Sequence, residues 1–508
     1  MAEKVTSGRP SSALRRVLIP LALAQFICSF AGSNMNVMIN EIAKDLGTTV
    51  QGVQLAITLF LLVMAALMIP GGKLTERYGR KRCLNLGLAV FGLGALISSA
   101  SQGLPTLIIG YSILEGIGTA LLIPPVYILT TLLFTDITSR ARAFGAINGM
   151  GGIGAATGPL IGGIIATAIS WRAAFGFQAA IIVVIVLLSR RDVRDPLPAE
   201  PDRPFDITGA ALSAIGLVLM VLGILAADKN GWLMLGLIAA GALVLVWFFH
   251  TVRVKERTGR EPLLTMELFR NRTSNLGLVT QNIQWLVLLG ISFTVSAYLQ
   301  VVHGYNPIQT GLILTAATVG LLISSAAAER LATRRAQRTL IMAGFVLTTT
   351  GIVLFLTLNA VSSSKVWAYL PGLFIIGLGV GAMLTPSVNV VQSAFPDNLQ
   401  GEISGLSRSV SNLGSSLGTA IAGTILVAGI TKTPERSYAL ALAVLAAVGL
   451  AGLAAASFLP NTRPATPAAE PLPDTPHPGA KRRDGGLPGY TSPEGADKRT
   501  ATPDPKAD

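Results

Sequence analysis

Fourteen stretches of this chain stay apolar for about 18 residues or more, enough for each to cross a bilayer as a helix. They lie near 17–39, 51–71, 83–102, 105–128, 142–168, 172–189, 207–227, 231–251, 274–301, 308–328, 339–358, 366–388, 403–430 and 437–458. The expected fold class is all-α, a polytopic membrane protein with 14 transmembrane helices. Composition agrees: of 508 residues 51% are hydrophobic and only 13% charged, about half the charged share usual for soluble proteins. Cys28 and Cys83 both sit in apolar stretches, so they read as free buried thiols and not as a disulfide framework. The first span is too long for a cleaved signal peptide, and thirteen more follow it.

The net charge of +13 would suggest nucleic acid in a soluble protein. Its distribution says otherwise. Of 39 basic residues, 32 lie in the N-terminal segment, in alternate loops and in the tail, six lie on the other side, and Arg408 lies inside a span. The positive-inside rule then places both termini in the cytoplasm, with the charge attracted to anionic lipid headgroups. The expected location is the plasma (inner) membrane. From Pro460 to Asp508 eleven prolines and scattered charges replace the apolar pattern, which predicts a disordered cytoplasmic tail.

The chain also repeats itself. Gly145-x8-Gly154-x3-Gly158-Pro159-x2-Gly162-Gly163 is echoed 260 residues later by Gly405-x8-Gly414-x3-Gly418-Thr419-x2-Ala422-Gly423. The loop from Gly72 to Lys81 has a worn copy at 329–337. Two related six-helix halves, with an inserted pair between them, are the construction of a rocking carrier. The expected organisation is an N-terminal segment 1–16, a six-helix bundle 17–189, a linker with two extra spans 190–273, a second bundle 274–458 and the tail 459–508.

The loop Gly72-Lys73-Leu74-Thr75-Glu76-Arg77-Tyr78-Gly79-Arg80-Lys81 resembles the signature of the major facilitator superfamily, G-x-L-x-D-R-x-G-R-K. The glycine/proline string of span 5 matches that superfamily's antiporter motif. With the inserted pair, residues 15–460 resemble the fourteen-span drug:proton antiporter branch, the quaternary-ammonium-resistance type. Two departures stand out: Ala31 occupies the position of the branch's span 1 aspartate, and Ser112 and Glu115 those of its span 4 arginine and glutamine.

Glu115 is the one acid well inside a span, about ten residues or roughly 15 Å from the outer end. An acid there costs about 2.5–3.5 kcal/mol on insertion scales. It reads either as the proton-coupling site or as a protonated side chain bonding a neighbouring helix. The resemblance implies that spans 1, 4, 9 and 12 line the substrate cavity. Span 1 offers Gln25, Ser29, Gly32, Asn34 and Asn36, and span 4 offers Tyr111 on the face of Glu115. Span 9 offers Gln281, Asn282, Trp285 and Ser292, and span 12 Phe374 and Asn389. Such a lining suits amphipathic or cationic molecules. Arg408 reads as an anion partner, a snorkelling cation or a neutraliser of Glu402.

The resemblance further implies a cytoplasmic gate made by Gly72, Glu76, Arg77, Gly79, Arg80 and Lys81, with Asp136 or Arg142 as partners. It implies that Gly145, Gly154, Gly158, Pro159, Gly162 and Gly163 seal span 5 against span 10. Small residues at this spacing let helices touch, and the proline bends the helix. The chain shows no catalytic carboxylate pair, metal-ligand cluster or phosphate-binding loop. Neither enzyme activity, cofactor nor metal is expected. The reading is a proton-coupled exporter of amphipathic drug- or antibiotic-like compounds, working as a monomer with a small-molecule substrate, protons and membrane lipids as partners and without nucleic acid. The alternatives are an exporter of one endogenous metabolite, or an uncoupled or symport carrier, given the residues at positions 31 and 112.

Overall fold

The computed structural model describes residues 12–134, 137–202, 204–227, 230–331, 335–361, 366–396, 399–429 and 434–461. The N-terminal segment before residue 12, Asp136 and the tail from 462 lie outside the described residues. Every regular element among those described is helical. Fourteen long helices follow one another: α1 (Ser12–Asn34), α2 (Val50–Tyr78), α3 (Arg80–Ser99), α4 (Leu104–Leu133), α5 (Ile137–Ala168), α6 (Trp171–Asp192) and α7 (Ile207–Leu225). Then come α8 (Gly231–Arg257), α9 (Arg272–Ala297), α10 (Pro307–Leu331), α11 (Gln337–Val361), α12 (Tyr369–Gln392), α13 (Gln400–Gly429) and α14 (Pro434–Ser457). Loop side chains end several of them: Thr49 accepts from the Gly52 amide, Ser170 from Ala173 and Asn271 from Ser274. Between α2 and α3 the chain turns at Gly79 with φ +94°, a conformation that needs glycine.

Thirteen helices among the described residues are long and apolar enough to cross a membrane. The fourteenth predicted span is α13, and its composition explains the exception. Ser407, Ser409 and Ser416 are buried in it, and each hydroxyl is taken up by a neighbour: Gln281 of α9 at 2.9 Å, the Ala65 carbonyl of α2 at 2.5 Å and the Thr58 carbonyl of α2 at 3.1 Å. Helix α13 is polar because it is wedged between α2 and α9 and not against lipid.

The packing carries out the 260-residue repeat. A Cβ on Gly154 would stand 2.3 Å from the Phe26 carbonyl oxygen of α1, and one on Gly414 would stand 2.2 Å from the Asn282 carbonyl oxygen of α9. A Cβ on Gly163 would meet the Pro307 carbonyl of α10 at 2.5 Å, and one on Gly423 the Gln54 side chain of α2 at 2.0 Å. The pairs α1–α5 and α9–α13 are thus counterparts, and so are the seams α5–α10 and α2–α13 that join the halves. The glycine string, expected to seal α5 against α10, divides its work. Gly154, Gly158 and Gly162 press on α1, Gly163 meets α10, and Pro159 lends its carbonyl to the close approach of Gly311 on α10.

The two seams differ in depth. Along α2–α13, contacts run from Gln54, whose amide donates to the Thr419 and Ala420 carbonyls, to an ion pair of Lys73 with Glu402. Along α5–α10 they run from Thr167, which accepts from the Ile308 amide at 3.2 Å, to Thr318, which donates to the Ala156 carbonyl. Beyond that point, toward the face carrying the basic loops, a Cβ on Gly145, Gly149 or Gly152 would meet nothing within 4 Å. The inserted helix α7 packs on both α2 and α13, with Val221 between Leu62 and Ala420, and α8 packs on α7.

Candidate functional site

Side chains from both halves meet on the axis between them at two levels. At the face opposite the basic loops, α1 ends in a tighter turn over Met35–Met38. There Asn36 donates to Ser292 of α9 at 3.4 Å, and Gln300 donates to the Asn36 carbonyl at 2.8 Å while accepting from the Asn40 amide at 3.1 Å. This polar plug closes that face. The predicted residues Asn36 and Ser292 are joined in it, and Gln300, unremarked in the sequence, completes it.

Nearer the basic face lies a second cluster. The Arg408 guanidinium lies over the Tyr127 ring, 4.9 Å from its centroid, and bonds to the Tyr127 hydroxyl and to Asn148 Oδ1 at 3.1 Å. The Tyr127 hydroxyl also donates to Gln25 at 3.4 Å, and Gln25 donates to Ser29 at 3.3 Å. Phe144 stacks on Tyr127 at 5.9 Å. Asn148 and Arg408 are 260 residues apart, so they are the same position in the two copies of the repeat, meeting across the axis. Arg408 does not neutralise Glu402, whose carboxylate takes Lys73 at 2.9 Å and the Thr265 amide and hydroxyl.

The other predicted lining residues are spread around their helices. Gly32 faces Phe60, and Asn34 is fully buried beside Gly158 and Gly162. Gln281 accepts from Ser407, and Asn282 donates to the Val410 carbonyl of α13 at 2.9 Å. Trp285 and Asn389 are half-buried, and the Phe374 backbone lies against Gly320 of α10.

Glu115 and Tyr111 part company. Over Ile108–Glu115 the helix widens into π-helical turns, which shift a four-residue step around the axis relative to α-helical geometry. Tyr111 stacks on Phe60 at 4.5 Å and donates to the Ala31 carbonyl of α1. Glu115 instead lies against α3, where a Cβ on Gly94 would meet its Cγ at 2.9 Å. Its carboxyl is fully buried and faces Ser98, yet neither oxygen completes a hydrogen bond. Ser112, at the position of the branch's arginine, donates to the Ala56 carbonyl at 2.7 Å.

The basic-face motif is engaged mainly by the linker after α6. Asp195 accepts from the Arg80 amide at 2.6 Å and the Lys81 amide at 3.2 Å, capping α3, and Arg80 donates to the Pro198 carbonyl. Arg77 stacks on Tyr78, Glu76 accepts from the Glu200 amide through its own carbonyl, and Gly72 faces Pro124. Of the expected partners, Asp136 lies outside the described residues and Arg142 is exposed at the start of α5. The motif residue that crosses between halves is Lys73, which also reaches Glu261 at 3.5 Å. Gln54, Thr58, Ala65 and Lys73 share the α13-facing side of α2, and that spacing was the available signal. Charge reversal checks this lock. Lys73→Glu or Glu402→Lys alone should weaken the closed contact by about 2 kcal/mol or more. The double variant should restore it, read as the distance between spin labels on the basic-face ends of α2 and α13.

Away from the axis, His303 packs among Tyr298, Tyr305 and Tyr369, with its Nε2 3.0 Å from the Tyr369 hydroxyl. Burial pushes its imidazole below the ordinary value, with the Glu435 carboxylate opposing. A surface cleft of about 420 Å³ beside Asp45, Trp171 and Arg172 also lies at the far face, off the axis.

A sequence model of the Major Facilitator Superfamily matches residues 21–209, 205–419 and 283–490. The chain is 28% identical over 413 residues to the puromycin resistance protein of Streptomyces alboniger, covering 80% of this chain and 81% of that one. It is 28% identical over 447 residues to the multidrug efflux pump LfrA of Mycolicibacterium smegmatis, covering 85% and 86%. A crystal structure of the peptide transporter POT in complex with sulfate superposes with a TM-score of 0.63 at 18% identity, covering 87% of this chain and 95% of that one. At that identity the likeness concerns the fold alone.

Proposed function

This chain belongs to the Major Facilitator Superfamily, and we propose on that footing that it is an efflux carrier exchanging protons for amphipathic drug- or antibiotic-like molecules. It is a transporter and not an enzyme. The observation that carries the export mechanism is the arrangement of the axis: a plug at one face, a seam that parts toward the other, and repeat-related residues meeting between. Rocking two such halves about α2–α13 exposes the axis to either side in turn. The basic loops support a plasma-membrane setting with both termini cytoplasmic. One chain supplies both halves, which supports action as a monomer among membrane lipids.

Proton coupling falls to Glu115. An ionised carboxylate without a donor is the costly state in that setting, so its charge is sensitive to whatever rearranges α3 and α4. The lining supports a bulky amphipathic cargo: Tyr127 and Phe144 give apolar area, and Gln25 and Asn148 give amides.

The test is the purified protein in liposomes enclosing a pH dye, under an imposed pH gradient, challenged with a panel of lipophilic cations and antibiotics. Antiport gives a proton leak that appears only with substrate. Tracer flux of the same compounds without any leak would leave an uncoupled carrier and overturn the antiport reading.

A further inference from the structure

We propose that Arg408, with Tyr127 and Asn148, is a recognition site for an anionic group, a carboxylate or phenolate carried on an aromatic body. The inference rests on the export reading for its biological use but not for its chemistry. Arg408 lies eight positions into α13, and its side chain leaves the C-terminal half to end on α4 and α5 of the other half. Its partners are neutral: a phenol, an amide oxygen and a ring face. Among the described residues no carboxylate stands within ion-pairing distance. Glu402, the acid nearest in sequence, is held by Lys73 and Thr265. Glu115 lies against α3 and makes no ion pair with Arg408.

A positive charge without a counter-charge in a membrane-embedded bundle marks a pathway or a ligand. Both bonds Arg408 makes leave from one terminal nitrogen. Nε and the other terminal nitrogen carry no bond among the described residues, so their hydrogens remain to donate to an anion. Room exists along the two helices that bear this contact. Asn148 is exposed, and Cβ atoms on Gly145 and Gly149 of α5, or on Gly401 and Gly405 of α13, would meet nothing within 4 Å. Gly145 and Gly405 are themselves repeat partners. The helices that carry Asn148 and Arg408 thus have open, glycine-lined stretches in both halves, and the Tyr127–Phe144 stack offers an aromatic wall beside the cation.

Anionic lipid headgroups share this chemistry, so the experiment separates the two sources. Full-length protein in nanodiscs of neutral phosphatidylcholine is titrated with fluorescein, an aromatic anion, and with ethidium, an aromatic cation, and anisotropy is read. Arg408→Gln should weaken fluorescein by about tenfold or more and leave ethidium within about twofold. Arg408→Lys, which keeps the charge and loses the planar guanidinium with its several donors, should fall between. Tyr127→Phe should weaken fluorescein by about threefold with the ring kept, and it stands in should the arginine variants fail to fold. Equal losses for both dyes, or unchanged fluorescein, would reduce Arg408 to a strut between halves and overturn the proposal. Loss of fluorescein binding when phosphatidylglycerol replaces part of the neutral lipid would hand the site to a headgroup and overturn it too. Binding is read without flux, so selective fluorescein binding by a protein that exports nothing would sink the export reading and leave this site standing.

Discussion

Leucine at Gly154 or at Gly414 should cost most of the folded protein, whereas leucine at Gly145 should leave its yield near that of the parent chain. The first two positions bring backbones together. Their Cβ atoms would stand 2.3 Å from the Phe26 carbonyl oxygen and 2.2 Å from the Asn282 carbonyl oxygen. Neither obstacle is the loose end of a side chain, so a larger residue must push α1 from α5, or α9 from α13, along their whole length. Overpacking a well-fitted interior costs typically about 1–3 kcal/mol. Here the separation also loosens the contacts of Gly158 and Gly162 on the same seam, so a loss at or above that range is expected. At Gly145 a Cβ meets nothing within 4 Å. The check is the fraction of each variant eluting as a monodisperse peak from detergent, with its unfolding midpoint. A folded Gly154→Leu protein with an unchanged midpoint would mean that α1 and α5 do not touch as described.

The second large effect is functional. Glu115→Gln should reduce substrate-driven proton movement by more than about tenfold while the protein folds at least as well as before. Glutamine keeps the shape of the side chain between Gly94 and α4 and gives up the titratable proton. An acid at such depth costs about 2.5–3.5 kcal/mol on insertion scales, a burden the neutral amide lightens. The two halves of the expectation point in opposite directions, which protects it from the trivial explanation of misfolding. Liposomes loaded with a pH dye measure the first half, and thermal unfolding the second. An undiminished leak would keep antiport and move its proton elsewhere.

What the residues alone made legible was whatever lipid and repetition impose. An apolar run of fixed minimum length has one outcome in a bilayer, so thirteen spans read directly. The fourteenth, read from the same apolarity at 403–430, is α13, whose buried serines make it less apolar than the rest, and its 260-residue kinship with α5 agrees with its place in the bundle. The basic loops likewise marked Lys73 only as one charge among several. That it crosses to Glu402 depends on which side of α2 meets α13, a matter of packing. The meeting of Asn148 with Arg408 was latent in the same repeat, since 148 and 408 share a register. Reading it needed one further step, that equivalent faces of the two halves turn toward a common axis. The separation of Glu115 from Tyr111 had no such signal, because the π-helical widening of α4 leaves no periodic trace.

The unequal depth of the two seams gives the carrier a sidedness within the plane of the bilayer. The seam α2–α13 is bonded from end to end and backed by α7, while α5–α10 parts toward the basic loops with nothing against Gly145, Gly149 and Gly152. Among the described residues α5–α10 is thus the looser of the two seams, and a hydrophobic molecule dissolved in the adjoining leaflet would approach it by two-dimensional diffusion along the membrane. The concentration that governs its entry is the one in the leaflet, so the oil–water partition of a cargo sets its apparent affinity as much as any contact it makes inside.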